Sequence, residues 1–158
     1  MTLEHANLST LATLLKSDSL TANQIDTWLT DVDWSLQDGR FEMGRIDALL
    51  EDSIHLCAWG KANLGRDQLS MTFGIPSDTL MKSLRIKNLS STYVLQIPVT
   101  GPFRNPNIDA GSATAKIALL IAGNQVQKQG GVMGGVAAVI GRASEEKAPT
   151  PKRPFPWE

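Results

Sequence analysis

Hydrophobic and polar positions alternate with period two over several blocks of this chain, and each block is expected to be a strand, because strand side chains repeat every two residues. Val32, Trp34 and Leu36 alternate with Asp33, Ser35 and Gln37 and run into Asp38-Gly39. That pair is a hairpin signal, since glycine accepts positive φ at little cost. Arg40 to Ile46 then returns with Phe41 and Met43 on one side, whereas Asp47 to Asp52 is ambiguous and fits a short helical turn. In the next block Ile54, Leu56, Ala58, Ala62 and Leu64 share one face, and His55, Cys57, Trp59 and Lys61 share the other. A turn over Asn63–Asp67 leads back along Gln68 to Ile75, with Leu69, Met71, Phe73 and Ile75 aligned. A later strand aligns Tyr93, Leu95, Ile97 and Val99 and is followed by turns at Gly101-Pro102 and Asn105-Pro106 and a return strand to Ile108. Pro98 donates no ladder hydrogen bond, which puts its strand at or near a sheet edge or at a bulge.

Helical spacing alternates with these strands. Leu8, Leu11, Leu14 and Leu15 predict a helix over Asn7–Lys16, ended by the polar stretch Ser17–Asn23. Ile25 to Leu29 fits another turn of helix or an approach to strand. Pro76-Ser77-Asp78 is a helix start, with Ser77 or Asp78 available to cap the first free backbone N–H groups and Leu80, Met81 and Leu84 as the apolar stripe. Asp109 is expected to cap a second helix over Ala110–Ala122, whose Ala113, Ile117, Leu120 and Ile121 lie on one side. The expected fold is α+β: a curved antiparallel β-meander with short amphipathic helices on one side and a disordered Gly/Pro-rich C-terminal tail. Its expected parts are an N-terminal helical segment (1–30), a β-rich domain (31–123) and a flexible tail (124–158), the last being rich in glycine, then charged and rich in proline.

Composition narrows the function classes. A chain of 158 residues with 42% hydrophobic and 20% charged residues is ordinary for a globular domain with a core. The net charge of −1 gives no general attraction to nucleic acid, whose binding is dominated by phosphate charge. One cysteine, Cys57, allows no internal disulfide. The start Met1-Thr-Leu-Glu-His lacks the basic and apolar regions of a signal peptide, and no run is long enough for a transmembrane helix.

The search for chemistry yields no catalytic centre, metal site or cofactor. His55 and Cys57 lie two apart on one strand face, but two ligands do not make a zinc site, and an ordinary strand face accounts for them better. Asp31, Asp33 and Asp38 read as a solvated face and a turn. The glycine run Gly130–Gly141 lacks the Gly-Lys-Ser/Thr ending of a phosphate loop and is too short to span a bilayer. The feature with functional content is the apolar sheet face. Either the two helices seal it into an ordinary core, or part of it stays open as a binding surface.

The segments Gly65–Pro76, Ser77-Asp-Thr-Leu80, Tyr93–Gly101 and Asn105-Pro-Asn-Ile108, with Trp59-Gly60 and Asp38-Gly39-Arg-Phe41, resemble the C-terminal region of AsmA-like proteins over about Trp34 to Ala122. The resemblance is most specific at Ile97-Pro-Val-Thr-Gly101 and the proline-containing return. It implies a piece of a long, non-catalytic envelope protein of a diderm bacterium, located in the periplasm and tethered to the inner membrane, with a role in phospholipid transport or outer-membrane biogenesis. The implied partners are phospholipid acyl chains, and an envelope or outer-membrane protein, with no nucleic acid. Leu56, Leu69, Met71, Phe73, Leu95 and Ile97 are the expected lipid-contacting residues. The alternative is a docking domain that recruits an envelope protein through an exposed strand edge. With no N-terminal anchor legible and too few strands to cross the periplasm, the chain is expected to be either a C-terminal piece of a longer protein or a truncated relative.

Overall fold

A computed structural model describes residues 26–86, 89–128 and 147–158. The expected helix at Asn7–Lys16 and the glycine run at Gly130–Gly141 lie outside these residues. Among the described residues, seven antiparallel strands form one open sheet: β1 (Thr27–Leu29), β2 (Trp34–Gln37), β3 (Arg40–Leu50), β4 (Ile54–Asn63), β5 (Gln68–Pro76), β6 (Val94–Gly101) and β7 (Asn107–Ile108). The order is β1-β3-β4-β5-β6-β7, and β2 also pairs with β3. Helix α1 (Ser77–Leu84) follows β5, and α2 (Ala110–Lys128) follows β7. The antiparallel α+β architecture is the one expected from the alternating blocks.

Local residue chemistry accounts for most element boundaries. Asp38 and Gly39 both take positive φ, 49° and 71°, which is the geometry a two-residue hairpin turn requires between β2 and β3. Asp109 caps α2 as expected, its Oδ1 accepting the Ser112 N–H at 3.0 Å. Pro98 fits a near-edge strand for a specific reason. Its carbonyl accepts the Asp109 N–H at 3.0 Å on the side away from β5, so its missing donor also points where β7 has ended.

Three expectations differ from the structure. Asp47–Asp52 contains no helical turn: β3 runs on to Leu50, and the turn is confined to Glu51–Ser53, where Glu51 and Asp52 take positive φ. The period-two reading failed there because the pairing of β3 with β4 shifts register between Met43 and Ile46, which breaks the alternation of the strand. Ser77 and Asp78 do not cap α1, whose N-cap is Pro76 and bears no side-chain cap. The Asp78 carboxylate turns instead towards β4, and the neighbouring Thr79 hydroxyl accepts the His55 N–H and donates to the His55 carbonyl, both at 2.8 Å. Helix α2 also extends past Ala122 to Lys128.

The registers sort the sheet into two faces. On one, facing rows run Phe41–Ala62–Leu69–Gly101, Met43–Gly60–Met71–Val99 and Ile46–Ala58–Phe73–Ile97. The helices cover one end of this face, where Ile54, Ile75, Leu95 and Ile97 pack with Leu80 of α1 and Ala113, Ile117 and Leu120 of α2. On the opposite face lie Asp47, Leu49, His55, Cys57 and Gly74. There residues 147–158, expected to belong to a flexible tail, approach the sheet, and Phe155 is buried. Gly74 is required for packing on this face: a Cβ would come within 2.6 Å of both the Cys57 Sγ and a Val94 methyl.

Burial sets the energetic weight of each end. Leu95 has no exposed surface, and Leu36 is 52% exposed. Leu95→Ala is therefore expected to lower unfolding free energy by about 2–5 kcal/mol in urea titrations. Leu36→Ala should change it by about 0.5 kcal/mol or less.

Candidate functional site

The apolar face is sealed at one end and open at the other. Beyond the helices, Phe41, Met43, Leu69 and Met71 are half-buried, and Phe73 is 37% exposed. At the margin Trp34, on β2, is 65% exposed, with its ring centroid 6.2 Å from that of Phe41. Leu36 of β2, opposite Phe41, is exposed beside them, whereas exposed Leu29 of β1 lies opposite Ala48 towards the other end of β3. The twofold side-chain repeat puts Trp34, Leu36, Phe41 and Met43 on one side, and among the described residues the two helices, α1 and α2, pack on the other end. Such a surface binds by area: about 25 cal/mol per Å² of apolar surface removed from water, without a partner of fixed polarity. The two methionines add side chains that adapt to irregular shapes.

The six expected lipid-contacting residues divide accordingly. Leu69, Met71 and Phe73 lie at the open end. Leu56 is half-buried against the core cluster, and Leu95 and Ile97 are inside that cluster beneath the helices. The last two share the face with Phe73 but are withdrawn from any ligand by α1 and α2. The strand pattern put all six on one side correctly and gave no information on how far the helices reach.

The other face carries a chain of charged groups that the sequence pattern passed over. Arg45 holds the fully buried Asp47 with two nitrogens, Nε at 2.9 Å from Oδ2 and Nη2 at 2.6 Å from Oδ1. His55 Nε2 lies 2.9 Å from Asp47 Oδ1, and its Nδ1 lies 3.0 Å from Asp78 Oδ2. The Asp47 backbone N–H donates to the Thr30 hydroxyl at 2.9 Å, which ties this row to the segment after β1. The C-terminal segment closes over the group. Arg45 Nη1 donates to the Pro149 carbonyl at 2.8 Å, and the rings of Phe155 and Trp157 stand edge-on to the imidazole at 5.1 and 5.6 Å. Phe155 and Trp157 stack on one another at 4.7 Å.

Electrostatics follow from this geometry. Burial alone would push the Asp47 carboxyl up, but hydrogen bonds from His55 and Arg45 outweigh it and hold the group below the ordinary range. Burial would likewise push His55 down, yet its bonds to Asp47 and Asp78 raise it above its ordinary 6.5. Asp78 is lowered, with the His55 hydrogen bond overcoming desolvation. Cys57, two residues along β4, is pushed by burial up to about 12 and stays a neutral thiol. With a carboxylate on each ring nitrogen, His55 has no free lone pair with which to take a proton from a substrate. A hollow of about 820 Å³ at the hairpin end shares Phe41, Ala62 and Leu69 with the apolar face and is otherwise lined mostly by polar side chains, among them Gln37, Arg40, Lys61 and Ser70. Its Lys61–Glu42 pair is exposed, so solvent weakens it.

Among the described residues, no group of three or more His, Cys, Asp or Glu side chains is placed to hold a metal ion, and no helix is long and apolar enough to cross a membrane. No family model matches the chain, and comparisons with curated proteins and with solved structures likewise returned no match.

The pH dependence of stability follows in sign. The contribution of His55 is complete below its unfolded pKa of about 6.5 and is lost as pH rises through its higher folded value. Those of Asp47 and Asp78 are present above about 3.8 and are lost as pH falls through their lowered folded values. Thermal unfolding scans should show a plateau between these limits, and His55→Gln should remove the alkaline decline. Arg45→Met leaves Asp47 buried with one cationic partner fewer, and should cost about 3–5 kcal/mol in denaturant titrations. Cys57 should react with a thiol reagent only as fast as the protein opens, which stopped-flow absorbance would measure.

Proposed function

We propose that the chain is a non-catalytic segment of a bacterial cell-envelope protein of the AsmA-like type, whose open apolar face contacts phospholipid acyl chains during transfer between the inner and outer membranes. The observation that carries the reading is the end of the sheet that neither described helix covers, where Phe41, Met43, Leu69, Met71 and Phe73 share one face with exposed Trp34 and Leu36. An acyl chain lying there exchanges water for apolar contact and can shift along the rows without breaking a directional bond. The sequence resemblance at Ile97–Gly101 and Asn105–Ile108 is what supports the family reading, and with it periplasmic placement and a tether in a longer polypeptide. The chemistry of the other face agrees with a binding role, since its ionisable groups are spent on one another.

A second reading, docking of an envelope protein by strand addition, draws on a different feature. Among the described strands β2 pairs only with β3, so its other border carries no strand neighbour there. The two readings separate experimentally. In the lipid reading, organic extracts of the protein purified from its host contain phospholipid by mass spectrometry. Phe73→Asp, at a partly exposed position that should still fold, reduces that lipid severalfold. An extract without lipid, or a Phe73→Asp protein with undiminished lipid, would overturn the lipid reading. Retention of a defined outer-membrane protein by the Phe73→Asp variant would favour docking.

A further inference from the structure

The C-terminal segment carries an inference independent of lipid binding. We propose that residues 149–158 form a releasable strap, held against the sheet by a proton on His55. The geometry of the imidazole is the basis. Its two nitrogens face carboxylate oxygens at 2.9 and 3.0 Å on two different elements, Asp47 on β3 and Asp78 on α1. Satisfying both requires two N–H donors, and only the charged imidazolium has two. The neutral ring turns a lone pair on one carboxylate, and in a buried site that repulsion moves the ring or its neighbours.

Those neighbours include the strap. Phe155 and Trp157 rest edge-on against the imidazole, and the Pro149 carbonyl is held by the same Arg45 that grips Asp47. A ring that turns away from Asp47 or Asp78 withdraws the surface on which both aromatic groups sit. The other charged groups nearby do not replace that hold. Arg153 and Glu158 pair within the strap at 3.0 Å, and Glu158 also accepts the Phe155 N–H at 3.1 Å. Lys152 meets the exposed Asp33 at 2.7 Å, a contact that solvent screens. Lys82 on α1 acts on Asp78 from outside, and Cys57 on β4 remains uncharged. The raised titration of His55 is consistent with a strap that stays seated at pH values where an ordinary histidine has lost its proton and is released as pH rises further.

The test is an NMR titration of the full chain from about pH 6 to about pH 10, a range that brackets a raised histidine. The His5→Gln background leaves His55 as the only histidine ring signal, and Trp157→Phe assigns the Trp157 indole. The expected result is that the Trp157 indole leaves its folded position, with the same midpoint as the His55 ring proton. Asp78→Asn supplies the discriminating arm. An amide can donate to a neutral Nδ1 while Nε2–H still donates to Asp47, so this variant should keep Trp157 seated after His55 loses its proton. A Trp157 signal that stays in place through the wild-type His55 titration overturns the proposal. So does an Asp78→Asn protein that releases Trp157 as the wild type does.

Discussion

Asp47 is the constraint around which the rest of one sheet face is arranged. A carboxylate with no exposed surface is costly unless cations and donors surround it. Arg45 from the same strand, His55 from the neighbouring strand and the Thr30 hydroxyl from the segment after β1 converge on this residue. His55 in turn recruits Asp78, and that engagement sets where α1 begins relative to the sheet. The helix start, the β3–β4 pair and the C-terminal segment are thus held to one another through a single acid. Breaking the set leaves a buried charge without its partner, which is a larger penalty than the net stability the pairs contribute.

The two faces of the sheet solve the problem of cover differently. One is closed at its sealed end by two amphipathic helices, whose buried leucines and isoleucines meet those of β4, β5 and β6. The other is polar at its centre and is met by a short, proline-rich segment that contributes two stacked aromatic rings. The remainder lies towards the β2–β3 hairpin, where the apolar rows continue beyond the reach of both described helices. The exposure of those rows is what gives the lipid reading its physical content.

The sequence was legible where one periodicity ran uninterrupted. The hairpin at Asp38-Gly39, the facing rows of β4 and β5, the near-edge position of Pro98 and the buried stripe of α2 all followed from alternation, turn chemistry and helical spacing. It was illegible in two places, for different reasons. The register shift after Met43 broke the alternation of β3, so Arg45 and Asp47 were not seen as strand neighbours of His55 on one face. A hint was present, since ionisable residues two apart on both arms of a tight turn face each other whenever the arms pair. The seating of Phe155 and Trp157 had no such hint, because their partner lies about a hundred residues away and proline-rich composition reads as unstructured.

The upper border of the sheet has a consequence for self-association. β3 is flanked along one side by two separate pieces, three residues of β1 and four of β2, with residues 30–33 crossing between them. A border broken in this way offers no long straight ladder on which identical copies could stack, and long flat borders are what seed fibrous aggregates. The interruption lets the molecule carry exposed tryptophan and leucine at this rim while leaving room there for only a short added strand, a poor template for growth by identical copies.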